Sequence, residues 1–591
     1  MGKYLGNRKP NYDKTPAVII ERENKSLILG WNDIVENLKA DLAKVEKSNQ
    51  VLVLDTYQGV YDEEIIGAVK GIEHSLFINA ADLMMSAEEV DTLVYPDVTD
   101  DAIFGYLTRL KIEKFFNEEK IAEAKAQIAA AEGTVIVYGI GAALACDTPD
   151  LLVYADMARW EIQMRMRKDE VNNFGVENNE LKFALQYKRS FFVDWRVIDR
   201  HKKTLMNKWD YVLDTNKAEE PKMLSGDVLA SGMQKAVETP FRLVPFFDPG
   251  PWGGQWMKEV VDLDKDSENY AWCFDCVPEE NSLCFQFGEH QFEIPSINLV
   301  FDKPAELMGA KVHGRFGDEF PIRFDFLDTM GGGNLSLQVH PLTEYIQQEF
   351  GMHYTQDESY YMLEAEEGAN VYLGLKEGVN PQEMLNDLNH AQETGEEFPA
   401  EKHAGMFPAK KHDHFLIPAG TVHCSGAGSM VLEISATPYI FTFKLYDWGR
   451  MGLDGKPRPI NIKHGEKVID WNRTENWTKE HLVNAITPIA KGDGWEEEKT
   501  GLHEREFIET RRHWFTKEVL HKRTGSVDVI NLVEGREAII ESPTGKFEPF
   551  VVHYAETFVL PVEAGDYTIR PYGEAEGTKC GTLKAFVRTE A

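Results

Sequence analysis

The chain runs to 591 residues, 43% hydrophobic, 11% aromatic and 27% charged, the texture of several packed globular units and not of a disordered or fibrous chain. Its 98 Asp and Glu against 63 Lys and Arg leave a net charge of −35, a field that opposes a phosphate backbone and excludes a nucleic-acid partner. No apolar run reaches the roughly 18 residues needed to cross a bilayer, so no membrane partner is expected.

Up to about residue 230, short apolar runs alternate with helical patterns, the sign of an α/β layer fold with a parallel sheet. Val51 to Asp55, Ser75 to Asn79, Thr134 to Tyr138 and Leu151 to Tyr154 read as strands. Asp33 to Glu46 and Glu118 to Glu132 read as helices, the second with Asn117 as its N-cap. Gly139-Ile-Gly141 reads as a tight turn after a strand. Residues 160–210 are dense in Arg and Lys and look helical; they suit a solvated face or a contact between units, with an Arg-lined anion site as the alternative. Thr215 to Asp227 is polar and reads as a linker.

From Pro240 the texture changes to short strands, many aromatics and Gly/Pro/Asp turns, as in an all-β barrel. Cys273-Phe-Asp-Cys276 reads as buried strand thiols, lacking the second pair that a metal site would need. Residues 375–405 suggest a polar, helical insertion, and 463–500, with Trp471, Trp477 and Trp495, a connection between barrels. Beyond about 505 a second, smaller β-barrel follows, in which His521 and His553 have no ligand constellation. The expected organisation is therefore 1–230, 240–480 and 500–591. Six cysteines in the whole chain fit a reducing compartment, and the first ten residues lack the apolar core of a secretory leader, so a cytoplasmic protein is expected.

The chemistry concentrates in the middle unit. Gln338 and His340 lie two positions apart in Asn-Leu-Ser-Leu-Gln-Val-His, so a strand would point both side chains to one face. Glu358 opens the apolar run Tyr360-Tyr-Met-Leu363, and His423 follows the turn Pro418-Ala-Gly. Singly, each is an ordinary polar residue. Together, two imidazoles, a carboxylate and an amide oxygen make a nitrogen–oxygen donor set that suits Zn2+ or another divalent first-row metal, one per chain.

These segments resemble the class I, zinc-dependent mannose-6-phosphate isomerases, whose metal barrel is of the cupin type. The likeness is carried by residues 320–328, Asn334 to Pro341, Asp357 to Ala365, Ile417 to His423, Leu432-Glu433 and Leu445 to Arg450, with Pro251-Trp-Gly-Gly254 near the start of the unit. The resemblance implies Gln338, His340, Glu358 and His423 as metal ligands, and a sugar phosphate as partner. It further implies that an aldose phosphate and a ketose phosphate are interconverted through a cis-enediol. It places Lys444 and Arg450 at the family's two basic positions, where they would bind sugar oxygens or phosphate. Strand alternation in Met-Val-Leu-Glu-Ile would aim Glu433 inward, a candidate to support a metal ligand or to transfer a proton. A homo-oligomer is compatible with the sequence.

Two positions depart from the family pattern. Where many members have a lysine two residues before the ligand glutamate, this chain has Gln356, which cannot accept a proton near neutral pH. Where an acidic residue is usual ahead of the first basic position, Tyr439 and Ile440 stand instead. Either another group (Glu433, Lys444 or a metal-bound hydroxide) moves the proton, or the substrate is altered, or the barrel is a metal-containing sugar-phosphate sensor without isomerase activity. The first 230 residues resemble P-loop nucleoside (uridine-type) kinases at Val98 to Tyr106, Tyr138 to Ala143, Ala155 to Arg167 and Tyr187 to Arg200. The chemistry is missing: no Gly-x-x-x-x-Gly-Lys-[Ser/Thr] string exists, and Asp55 to Glu64 has one glycine, no lysine and four acids. A kinase-like fold without kinase activity is expected.

Overall fold

The computed structural model describes residues 2–20, 26–437, 441–451, 458, 460–501 and 506–589. The amino-terminal unit is built on a seven-stranded sheet in the order Ile28–Leu29, Lys222–Ser225, Tyr211–Asp214, Leu151–Asp156, Asn49–Thr56, Gly133–Gly139, Leu76–Asn79. The last five strands are mutually parallel. Leu52, Val53 and Leu54 in the centre are fully buried, because helices cover both faces and no alternation with polar residues is tolerated. The helices Gly30–Leu42 and Glu118–Ala130 match expectation, and the Asn117 side chain accepts from the N–H groups of Glu119 and Lys120.

The stretch 215–227 is not a linker. It turns back as Lys222–Ser225, antiparallel to Tyr211–Asp214, and buries Met223 and Leu224 in the sheet. The helix Gly226–Glu238 then carries this unit past residue 230. The first twenty residues belong elsewhere as well. Val18–Ile19 pairs in parallel with Ser282–Phe287, and the Tyr12 hydroxyl donates to Asp275 at 2.6 Å, so this segment is fastened to the β half.

Two antiparallel sheets form the central barrel. One has the order His414–Ile417, Glu358–Ala365, Ser429–Ser435, Arg323–Asp328, Trp272–Cys276, Phe246–Asp248. The other has the order Ala404–Pro408, Asn370–Leu375, His423–Ser425, Leu337–Val339, Phe443–Tyr446. Cys273 and Cys276 are buried in their strand, where desolvation pushes both thiols up. The expected insertion holds the helix Pro381–Thr394. In the carboxy-terminal unit, a six-stranded sheet includes Thr487–Gly492 and Trp495–Lys499, so it starts before residue 500, and Trp495 is part of it.

The basic helices are a contact between units, not a solvated face. Arg159, Arg165, Lys188, Arg189 and Lys202 are all buried. Arg159 pairs with Asp199, Arg165 with Glu161 and three backbone carbonyls, and Lys202 with Asp156 and Asn298. Arg167 forks onto Asp248 at 2.7 and 2.8 Å across the boundary, and Trp160 donates to Ser282.

Arg242 ties three segments together. Its guanidinium lies 2.8 Å from Glu556 and 3.8 Å from Asp275, and donates to the carbonyls of Asp13 and Thr557. Removing one partner leaves buried carboxylates uncompensated, so Arg242→Met is expected to cost roughly 3–5 kcal/mol, read as a lowered urea midpoint.

Candidate metal centre

The barrel brings four sequence candidates to one point. Gln338 pairs directly opposite His423 in one sheet, and His340 follows two residues on, past the strand Leu337–Val339. Glu358 enters from the other sheet, held between Ile417 and Ser435 on the neighbouring strands. The turn that delivers His423 is tightly fixed. Asp357 accepts from the Ala419 N–H at 2.7 Å, and Gly420, at a φ of +88°, donates to the His340 carbonyl at 3.0 Å. A side chain at Gly420 would meet both that strained backbone and the Val468 carbonyl.

His423 Nε2 lies 2.8 Å from one Glu358 oxygen and His340 Nε2 lies 3.1 Å from the other. The Gln338 amide is 3.2 Å from His423 Nε2. His340, Glu358 and His423 are buried, with donor atoms all within 4.8 Å of one another. The outer nitrogens set the tautomers: His340 Nδ1 faces the Phe441 carbonyl at 3.1 Å and His423 Nδ1 the Thr421 carbonyl at 2.9 Å. Each Nδ1 therefore carries the proton, and each Nε2 turns its lone pair inward, the arrangement of metal-binding imidazoles. Among the described residues, His340 Nε2 and Glu358 Oε1 have no hydrogen-bond partner of good geometry. A divalent ion with bonds of about 2.0–2.2 Å would satisfy these atoms, so the residues fit the group.

The three groups also set one another's proton affinities, in the way that a proton or a metal cation among them would satisfy. Burial opposes ionisation of Glu358, yet the two facing rings outweigh it and hold the carboxyl well below the usual range. Burial likewise disfavours a charge on both imidazoles; Glu358 overcomes this for His340, whose affinity for a proton rises, but not for His423, whose affinity falls.

Around the donors sits a layer that the sequence motif did not single out in full. Gln356 donates to Glu358 Oε2 at 2.8 Å and accepts from the Thr437 hydroxyl at 3.1 Å, so this amide is a brace for the carboxylate. Glu433 stands opposite both Asp325 and Tyr360 on adjacent strands, in the electrostatic field of Glu358. Burial, then mutual repulsion with Asp325 and Glu358, pushes the Glu433 carboxyl well up; burial, then the Glu358 charge, does the same for Asp325. Asp325 and Tyr360 were missed as site residues. Their signal was the alternation: Tyr360 is two positions from Glu358, and Asp325 is the polar member of Phe-Asp-Phe.

Lys444 is in register with Gln338, its pKa brought down to about 8 by burial and by Arg458, with Asp447 opposing. Arg450 lies further along, its guanidinium bound to Asp447 at 3.0 Å and to the Asn334 carbonyl. Tyr439 and Ile440 lie outside the described residues. In the amino-terminal unit, Asp55 accepts from the N–H groups of Gly141 and Ala143 and contacts His201 at 2.8 Å. Amides that could cradle a phosphate are already occupied there by a carboxylate.

Fold and site together define a multidomain protein whose two-sheet barrel encloses a His–Glu–His set of metal-ligand type. Residues 30–238 match a family model described as a domain of unknown function, DUF8485. The mannose-6-phosphate isomerase ManA of Bacillus subtilis (strain 168) is 25% identical over 302 residues, which cover 50% of this chain and 84% of that protein. The mannose-6-phosphate isomerase of Streptococcus mutans serotype c is 26% identical over 233 residues, 38% of this chain and 66% of that protein. The crystal structure of the mannose 6-phosphate isomerase from Bacillus subtilis aligns with a TM-score of 0.47 at 18% identity, covering 59% of this chain and 99% of that one. About half of the chain is thus homologous to mannose-6-phosphate isomerases, and the protein is isomerase-like.

If the three donors hold an ion, His340→Ala and His423→Ala each lower metal retention after dialysis about tenfold or more, measured by elemental mass spectrometry. Gln356→Ala, which loosens only the brace on Glu358, is expected to give a smaller loss.

Proposed function

We propose that the protein interconverts an aldose phosphate and a ketose phosphate with the help of one divalent ion, zinc or another first-row metal. The simplest substrate pair is mannose 6-phosphate and fructose 6-phosphate. The observation that carries this reading is the inward convergence of two imidazole lone pairs on Glu358, within the part of the chain homologous to the isomerases. When bound, the ion supplies Lewis acidity to the sugar oxygens, stabilising the charge that builds as a cis-enediol forms.

The remaining work falls to side chains. Gln338, His340, Glu358 and His423 would hold the ion, with Gln356 fixing the Glu358 carboxylate. Glu433 is the candidate to move the proton between C1 and C2. Burial beside Asp325 and Glu358 raises its proton affinity from the ordinary carboxylate range towards that of the substrate chemistry. Lys444, with a charge it keeps up to about pH 8, would bind phosphate or sugar oxygens, with Arg450 at the end of the same barrel. Tyr360 offers, on the same face, a buried hydroxyl without a partner among the described residues.

A second reading, a sugar-phosphate sensor that keeps the ion and lacks turnover, is favoured by Gln356 alone. For the amino-terminal unit, the reading is a kinase-like scaffold that transfers no phosphoryl group, supported by the Asp55 carboxylate on the Gly141 and Ala143 amides.

A coupled assay for fructose 6-phosphate, with and without chelator, tests the main reading: activity is expected, and is lost on chelation. Glu433→Gln is expected to lower kcat by about 10²–10⁴-fold with metal content unchanged. Gln356→Lys changes little if Glu433 already serves; a weak wild type that gains activity from this lysine supports the sensor. Because the Lys444 ammonium is lost as pH rises through about 8, kcat/KM is expected to fall above that pH, and Lys444→Arg to remove the limb.

A further inference from the structure

A crevice of about 1460 Å³ opens at the carboxyl ends of the parallel strands Asn49–Thr56, Leu76–Asn79 and Gly133–Gly139. In open parallel sheets, ligands bind at this edge, where the loops diverge. The walls are built, not merely gathered. Gln58, Asn173, Lys188 and Arg189 line the crevice while each exposes 6% or less of its surface. Gln58 donates to the Asn172 carbonyl at 2.9 Å and Asn173 to Asp194 at 2.8 Å.

The lining charge is one-sided. Among the described residues, nine carboxylates face two cations, Lys188 and Arg189. Both cations are already engaged: Lys188 by the carbonyls of Thr99 and Asp101, Arg189 by Asp91 at 2.7 Å and the Phe174 carbonyl at 2.9 Å. Of the nine carboxylates, only Asp91 and Asp101 are ion-paired among the described residues. Among the described residues of the lining, a phosphate would meet repulsion with no free cation to offset it. An ammonium group would meet unneutralised carboxylates in a partly enclosed space, where the field is concentrated.

The same walls reach the metal centre by two routes. The helix Phe183–Arg189, which carries both cations, passes into a wide turn, Ser190–Asp194, of the π kind that recurs at functional positions in helices. There Phe191 and Phe192 pack 6.0 and 6.2 Å from the Phe441 ring, and the Phe441 carbonyl receives the His340 Nδ1 proton. On the second route, Asp101 accepts from the N–H groups of Ile103 and Phe104 at 2.8 and 2.7 Å and faces His464 at 3.4 Å. The Phe104 ring lies 5.2 Å from Phe443, the neighbour of Lys444 in the strand that pairs with Gln338.

We propose that this crevice binds a small organic cation, an amine-bearing molecule, and that its occupancy is transmitted to the barrel through the Lys188–Phe192 segment. Binding itself stands independently of the isomerase reading; only the consequence for His340 rests on it. A ligand that orders the segment would alter the packing against Phe441, and by linkage any ion held by His340 would alter amine affinity by the same factor.

The test uses the full-length protein with spermidine as probe, glucosamine as a smaller amine and ATP as an anionic comparison, by calorimetry at fixed salt. One site is expected for the amines and none for ATP. The triple change Glu63→Gln, Glu64→Gln, Asp100→Asn is expected to weaken spermidine about tenfold or more, at about 1.4 kcal/mol per decade. An equal charge removal elsewhere, Glu393→Gln, Glu396→Gln, Glu397→Gln, is expected to leave it unchanged. Binding at many sites, equal weakening by both triple variants, or binding of ATP and not of amines overturns the site. Transmission is read by hydrogen exchange: spermidine is expected to slow exchange over residues 188–194 and 441–446, and Phe192→Leu to keep the first effect and lose the second. Slowing confined to the crevice overturns the transmission and leaves the site standing.

Discussion

Two imidazole lone pairs and a carboxylate, 2.8–3.1 Å apart in a buried barrel interior, repel one another unless a proton or a cation lies on them or between them. The surrounding structure is arranged around that constraint. Backbone carbonyls of Phe441 and Thr421 take the outer ring protons, Gln356 braces the carboxylate, and Asp357 locks the turn before His423. Each of these contacts narrows the ways in which the donors could relax if the charge were absent.

The constraint also links the halves of the molecule. His340 is oriented by a carbonyl whose own residue packs against the amino-terminal unit, so the α/β unit is part of the support of the centre and not a passenger. Of the cations in residues 159–202, Lys202 and Arg167 cross that joint, to Asn298 and Asp248, while Arg159, Arg165, Lys188 and Arg189 are matched within the amino-terminal unit. In an acidic protein, each such cation is matched to a carboxylate or a set of carbonyls, which is how guanidinium and ammonium groups are accommodated away from water. The same matching leaves the nearby crevice with unmatched negative charge.

Much of this was legible in the sequence where local physics decides. Strand alternation put Gln338 and His340 on one face, and the Pro-Ala-Gly turn announced His423. The parallel sheet followed from apolar runs between amphipathic helices. What failed was long-range pairing. Nothing local reveals that Val18–Ile19 pairs beside residues 282–287, or that Lys222–Ser225, flanked by polar residues, closes a sheet edge. Charge counts could not tell a solvated helix from a buried joint, since the partners of Arg159 and Lys202 are distant in sequence. The Asp325–Glu433 pair exists only through strand register, so its raised proton affinities were invisible until the sheet was in place.

The most direct measurement of the central claim is anomalous diffraction from crystals of the full-length protein, collected on both sides of the zinc edge and of the other first-row edges. The account predicts one peak bounded by His340 Nε2, His423 Nε2 and Glu358, at about 2.0–2.2 Å from each. An anomalous-silent site, with a protonated His340 closed directly onto Glu358, would contradict it.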